Sequence, residues 1–249
     1  MSKRWWFLAA LMLLIFVIIQ VPARVVMQRV LPANPAFSLH NINGSLWQGR
    51  ADVMTPKITL HNVQWTMYPL HLILGRVQAD IVIDDGDVQA SADARIGFGG
   101  ALLLREVSVS LPANKLDELL PMRGLQMQGE LHADISELRF AEQQIQHLQA
   151  QLQWRDAAVR TPMGTTELGA YRADVARDEA GAIAGDIKDI DGVLDLQGKV
   201  VIANQTLSFS GSVKRELPDH VLRFFKMFAR DNGSRLEFNF NRPLPGVGP

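Results

Sequence analysis

Between residues 76 and 94 the sequence commits to an antiparallel pair. Val77, Ala79, Ile81 and Ile83 fall on every second position, and Asp84-Asp85-Gly86-Asp87 supplies turn chemistry. Val88, Ala90, Ala92 and Ala94 then resume the same spacing. Successive side chains of a strand point to opposite faces, so this pattern gives each run one face to bury and predicts a hairpin. The rhythm recurs from Ala33 onward, with turn signals every ten residues or so. Ile58 and Leu60 alternate before a phase shift to Val63 and Trp65. Val107, Val109 and Leu111 follow within Glu106 to Leu111, and Asn204-Gln205 divides the alternating runs Asp195 to Ile202 and Gln205 to Val213. A fold dominated by antiparallel β-strands is the expectation.

Two later segments carry a helical pattern instead. Ala113 to Leu120 opens after Pro112 and stops at Pro121. Leu217 to Arg230 places Val221, Leu222, Phe224, Phe225 and Phe228 at helical spacing, with Asp219 near its start and Asn232-Gly233 beyond its end. The basic residues Arg223, Lys226 and Arg230 allow that helix to lie on a membrane surface, but its mixed composition favours a helix that buries its Phe residues on one end of the sheet. Phe140 to Trp154 fits either period, and its second half reads as a strand.

Asn43 to Ala51, NGSLWQGRA, comes within two residues of a phosphate-binding loop. Gly44 and Gly49 have the spacing of that loop, but Arg50 stands where the lysine belongs and Ala51 where a hydroxyl must meet the metal. Pro56 follows too soon for the helix that such a loop opens. The loop is therefore not expected to bind a nucleotide. A net charge of −1 argues against a nucleic-acid surface, and the absence of Cys removes disulfides, thiolate ligands and a cysteine nucleophile.

Other signals of chemistry are equally thin. The six His residues, at 40, 61, 71, 132, 147 and 220, form no H-x-x-x-H or H-E-x-x-H pair. A calcium loop beginning at Asp84 would need Glu at its twelfth position, where Arg95 stands. No G-x-S-x-G elbow is present. Asp189 with Asp191, and Asp178 with Glu179, read as solvated loop carboxylates. No catalytic residue, metal site or cofactor is expected.

An apolar-x-Gly-x-apolar unit recurs around Gly44, Gly129, Gly192 and Gly211. Its first two copies are each followed by an alternating run ending in Gln-Trp, at Trp65 and Trp154. Two related β-rich halves are the expectation, laid along one long, curved antiparallel sheet. Glycine inside a strand marks a bend, a bulge or bare backbone on which a large side chain can lie, a role open to Trp47 and Trp65.

The N-terminus adds a membrane segment. After Lys3 and Arg4 the chain runs from Trp5 to Val21 without a charge and meets Pro22. That run just suffices to span a bilayer as a helix. Trp5 and Trp6 fall at the interface position, and the two basic residues mark the cytoplasmic side. Val21-Pro22-Ala23 also permits a cleaved signal peptide, but the run exceeds the usual apolar core of about 7–15 residues, which favours an uncleaved anchor.

GSLWQGRA at 44–51, HNVQWTMYPLHLILGRVQADI at 61–81, TPMGTTELGAYRADV at 161–175 and IDGVLDLQGKVVI at 190–202 occur in that order. As an ordered set that includes Trp65, Pro69 and Leu74-Gly75-Arg76, they resemble protein N of the type II secretion system, a family related to AsmA-like envelope proteins. The resemblance implies a non-enzymatic, single-pass inner-membrane protein of a Gram-negative bacterium with a periplasmic domain. It would serve the machine that exports folded proteins across the outer membrane. Implied partners are other subunits of that machine, the inner membrane through residues 5–21 and, through the AsmA-like kinship, lipid on the concave sheet face, with lipid binding or transfer as the alternative function.

The expected organisation is a cytoplasmic stretch 1–4, an anchor 5–22 and a juxtamembrane linker 23–36. A first β-rich half 37–111, a linker with a short helix 112–124, a second half 125–241 including a helix 217–230, and a tail 242–249 follow. One or two short helices are expected in all beyond the anchor. The family-motif and packing residues are Gly44, Leu46, Trp47, Gly49, Trp65, Pro69, Gly75, Trp154, Gly164, Gly169, Tyr171, Gly192 and Gly198.

Overall fold

The computed structural model describes residues 5, 6, 12, 16, 20–30, 38–56, 58–97, 99–119, 126–142, 144–161, 164–203, 206–217, 221, 222, 225 and 229–243. The chain divides into two units, Met1–Gly99 and Gly100–Pro249. The division falls before the run Glu106 to Leu111, which the expected organisation places in the first half.

The first unit holds α1 (Ala23–Val30), β1 (Ser38–Gly44), β2 (Gln48–Met54), β3 (Thr59–Met67), α2 (Pro69–Ile73), β4 (Arg76–Asp85) and β5 (Val88–Gly97). Its strands pair antiparallel with their chain neighbours from β1 to β5. The hairpin expected at 76–94 forms with Asp85 opposite Val88 and Gly86 at φ +66°, a conformation that glycine adopts without penalty. Register sets Ala51, Val63, Trp65, Ile81, Ile83, Ala90 and Ala92 on one face. Ala23 and Met27 of α1, four residues apart and so on one side of the helix, pack on that face with Ala51 and Trp65.

The second unit holds β6 (Leu102–Pro112), α3 (Lys115–Leu119), β7 (Gln126–Ala141), β8 (Gln144–Thr161), β9 (Gly164–Arg177), β10 (Ile183–Asp189), β11 (Gln197–Ala203), β12 (Thr206–Lys214), β13 (Arg230–Asp231) and β14 (Arg235–Pro243). Strands β6 to β12 meander antiparallel, β14 continues beside β12, and β13 touches the far side of β14. The ambiguous stretch 140–154 belongs to a long hairpin of β7 and β8, strand on both sides of its turn.

Register also sorts the side chains of this unit. Val107, Val109, Ile135, Ala150, Leu152, Trp154, Tyr171, Ala173 and Val175 share one face. Ser108, Asp134, Gln151, Gln153, Arg172 and Asp174 share the other. The best-buried cluster forms where Leu194, Leu217 and Val221 close on Tyr171, Val213, Leu236 and Phe238. Phe225 stacks obliquely on Phe238 with centroids 5.8 Å apart.

The helices depart from the sequence expectations, and two of the departures have clear physical causes. Helix α1 occupies part of the expected linker, because Ala23 and Met27 gain a face to pack on. Helix α2 interrupts the 61–81 motif. Tyr68 is extended and Pro69 begins the helix, where its fixed φ fits and its missing N–H costs nothing. With α3 and the helical residues 221, 222 and 225, these exceed the one or two short helices expected beyond the anchor. Of the helix expected at 217–230, Val221, Leu222 and Phe225 are helical, Leu217 precedes it and Arg230 lies in β13. Phe224 and Phe228 lie outside the described residues.

Most of the expected anchor also lies outside the described residues. Within it Trp5, Trp6, Met12 and Phe16 are helical and exposed. Among the described residues no helix is long and apolar enough to cross a membrane.

Candidate functional site

The motif residues gather at two tryptophans, one in each unit. In the first unit Gly44 faces Gly49 across the β1–β2 turn, so the loop that resembles a nucleotide cradle is the tip of a hairpin. Gly44 sits at φ +93°, and Ser45 closes the turn by donating its N–H to Gln48 O at 2.9 Å and accepting the Gln48 N–H on its hydroxyl at 3.1 Å. Trp65 of β3 lies opposite Gly49 with its ring on the bare backbone there. A Cβ at Gly49 would stand 2.5 Å from ring atom Cζ2. The buried indole donates Nε1–H to Leu46 O at 3.1 Å, and the Met67 N–H donates to Trp47 O at 2.6 Å.

In the second unit the indole of Trp154 donates to Gln128 O at 2.9 Å, next to Gly129 at φ +100°. A Cβ on Gly129 would meet the carbonyls of Arg155 and Asp156 at 2.4 Å, so the bulge after Trp154 closes over a glycine. Trp154 leans on Tyr171 with centroids 6.3 Å apart. The Tyr171 phenol donates to Leu168 O at 2.8 Å, and burial, aided by the nearby Asp189 charge, pushes its pKa far above the usual tyrosine range. The raised pKa favours the neutral phenol, the form that donates to Leu168 O.

The connection from β10 to β11 is clasped onto this tyrosine. The Ile190 N–H donates to Ala170 O and the Val193 N–H to Leu168 O, each at 2.9 Å. Gly169, at φ +96°, leaves room for Asp191 O, which a Cβ would approach to 2.0 Å, and a Cβ on Gly192 would meet the Asp189 carboxylate and the Tyr171 hydroxyl. Asp189 accepts the N–H of Gly192 and, at 3.2 Å, that of Leu196.

Asp189 therefore caps a turn and is not the solvated loop carboxylate expected from its neighbours. Its signal in the sequence is the spacing Asp-x-x-Gly, typical of a side chain that bonds the backbone just ahead of it.

The remaining motif residues lie apart from these two clusters. Pro69 begins α2 and Gly75, at φ +75°, ends the turn after it. Gly164, at φ +135°, follows the β8–β9 turn with open space around it, and Gly198 pairs with Gly211 beside the ring of Phe209.

The four glycines of the recurring unit play different parts. Gly44 and Gly129 are left-handed, whereas Gly192 serves a loop and Gly211 makes room for Phe238. The first two copies do share one device, since each contains the carbonyl that a tryptophan indole caps.

A polar lock, not anticipated from the sequence, spans three strands of the first unit. Asp52, on β2 opposite the bulges of β1 and β3, accepts Nδ2–H of Asn41 at 2.6 Å and the backbone N–H of Asn62 at 3.1 Å, and lies 3.7 Å from His61. Asn41 and Asn62 are both left-handed, at φ +52° and +54°, which asparagine tolerates better than most residues. The Asn41 hydrogen bond leads in holding the Asp52 carboxyl below its usual pKa, followed by the Asn62 amide and then His61. Among the described residues no group of three or more His, Asp or Glu side chains is placed to hold a metal.

The fold and these clusters define a class: an antiparallel β-meander whose marked residues bend, cap and pack strands. The sequence family described as type II secretion system (T2SS), protein N, matches residues 35–235, and the chain belongs to that family. It is 30% identical over 168 residues to type II secretion system protein N of Vibrio cholerae serotype O1. That match spans 66% of this chain and 66% of the relative, just under two thirds. It is 24% identical over 227 residues, 88% of each chain, to type II secretion system protein N of Aeromonas hydrophila. No solved structure matches the chain.

Proposed function

We propose that this chain is a non-enzymatic component of the type II secretion system, anchored in the inner membrane by residues 5–21. Its β domain would lie in the periplasm and contribute to export of folded proteins through contacts with other subunits of the machine. The observation that carries this reading is the family match over 35–235, which takes in both tryptophan clusters. The motif residues hold strands and turns in register, as a binding scaffold requires. Deleting the gene should reduce export of a type II substrate, with recovery on complementation. Unchanged export together with a defect in the lipid barrier would overturn the reading.

One observation favours a second reading, in which the second unit holds lipid. Its apolar face carries half-exposed large side chains, including Leu152 at 42% and Phe140 at 39% exposure, and among the described residues no second sheet covers them. Native mass spectrometry of the purified chain should then detect retained lipid, and its absence removes the support for this reading.

A further inference from the structure

The point where the N-terminal apolar segment ends is stitched to one end of the first unit. Val21 O accepts the Leu46 N–H at 2.9 Å, and Pro22 bridges antiparallel to Ser45. Trp47 O accepts the Met67 N–H at 2.6 Å, and the next residue, Tyr68, leads into α2. Two hydrogen bonds and short covalent links thus place α2 beside the end of the segment 5–21.

Helix α2 is the wrong composition for a water-facing tip. Leu70 is 74% exposed, Leu74 66%, Tyr68 39% and Leu72 38%. Leu70 and Leu74 have the i,i+4 spacing of helical neighbours and give this tip apolar surface that water disfavours. Tyr68 adds a ring of the kind that sits at headgroup level, with its hydroxyl held by Asp80. Arg24 and Arg76 are exposed at the same end, placed for anionic headgroups.

We propose that α2 and its flanks dip into the headgroup region of the same bilayer in which residues 5–21 are anchored. This rests on the anchor reading of that segment. The occupant of the patch is the lipid surface, because α2 lies at the end of the first unit to which Val21 and Pro22 are stitched, and the exposed Arg24 and Arg76 suit anionic headgroups. A single anchoring helix leaves the domain free to swivel about it. A second contact through Leu70 and Leu74 fixes which side of the first unit faces the membrane.

The chain contains no Cys, so single cysteines report cleanly. The full chain would be reconstituted in vesicles of phosphatidylethanolamine and phosphatidylglycerol. Leu70→Cys, Leu74→Cys, Phe16→Cys and Asp87→Cys would each carry an environment-sensitive fluorophore. Asp87 lies in the turn at the opposite end of β4. Spin-labelled lipids should quench the probes at positions 70 and 74 severalfold more than the probe at 87, with a blue shift in emission. Quenching at 16 with aqueous signals at 70 and 74 overturns the second contact and leaves the anchor intact. Probes at 70 and 74 that turn apolar only on addition of purified secretion subunits overturn it in favour of a protein partner. An unquenched probe at 16 overturns the anchor reading, and this inference with it.

Discussion

The indole N–H of Trp65 donates to Leu46 O at 3.1 Å, while the same ring covers Gly49 and packs against Ala23 of α1. One side chain therefore ties the β1–β2 turn, β3 and the first helix together. Trp65→Phe keeps most of the packing and leaves the Leu46 carbonyl without its donor, a loss of about 1–3 kcal/mol. Trp65→Ala adds a cavity and should cost about 3–5 kcal/mol. Equilibrium urea unfolding of the detergent-solubilised chain, followed by circular dichroism, should rank wild type above Trp65→Phe above Trp65→Ala. Equal midpoints for all three would show that the turn is held without the indole.

Two glycines of the 161–175 motif separate backbone strain from crowding. Gly164 and Gly169 are both left-handed, at φ +135° and +96°. Nothing lies within 4 Å of a Cβ at Gly164, whereas at Gly169 it would meet Asp191 O at 2.0 Å. Gly164→Ala should cost only backbone strain, about 1–3 kcal/mol. Gly169→Ala must also push the β10–β11 connection off Tyr171. The larger loss of stability should fall on Gly169→Ala, and on it alone hydrogen exchange at Ile190 and Val193 should quicken.

What the sequence made legible was what repeats along one strand. Alternation located the hairpin at 76–94 and the strands on either side of Asn204-Gln205, because burial of one face imposes a period of two on every strand. The helices α1 and α2 were not legible, since α1 is set by packing on the sheet and the five-residue α2 by a proline start. The tryptophans and Leu46 stood out as motif residues, but the hydrogen bonds that hold the tryptophans did not. Leu46 and Gln128 contribute only backbone carbonyls, which no side-chain pattern records. The Asp52 lock joins the bulges of β1 and β3 across β2, and bulge positions depend on register across the sheet.

That lock should give the first unit an acid-sensitive step. The hydrogen bonds from Asn41 and Asn62 and the neighbouring His61 lower the Asp52 pKa in the folded state. A depressed carboxyl contributes stability above its unfolded value of about 3.9, and the contribution is lost as pH falls through the folded value. Asp52→Asn removes the charge and with it this pH dependence. The stability gap between wild type and Asp52→Asn should be constant above about pH 5 and should shrink on further acidification. A gap that stays constant throughout would show that shape, not charge, sets the role of Asp52.

Asp189 offers the sharpest test of the second cluster, because its carboxylate holds two backbone donors, Gly192 and Leu196, of the connection that is clasped beside Tyr171. In Asp189→Ala both amides lose their acceptor, at about 1–3 kcal/mol for each one left buried. Asp189→Asn keeps one side-chain oxygen and should fall between alanine and wild type. The Tyr171 hydroxyl bonds Leu168 O and makes no bond to Asp189, so the loss should be local to residues 190–196. Amide hydrogen exchange should therefore quicken at Gly192, Val193 and Leu196 in Asp189→Ala, with protection in β7 and β8 unchanged. Uniform loss of protection across the second unit would make Asp189 part of the global core and not the lock of one loop.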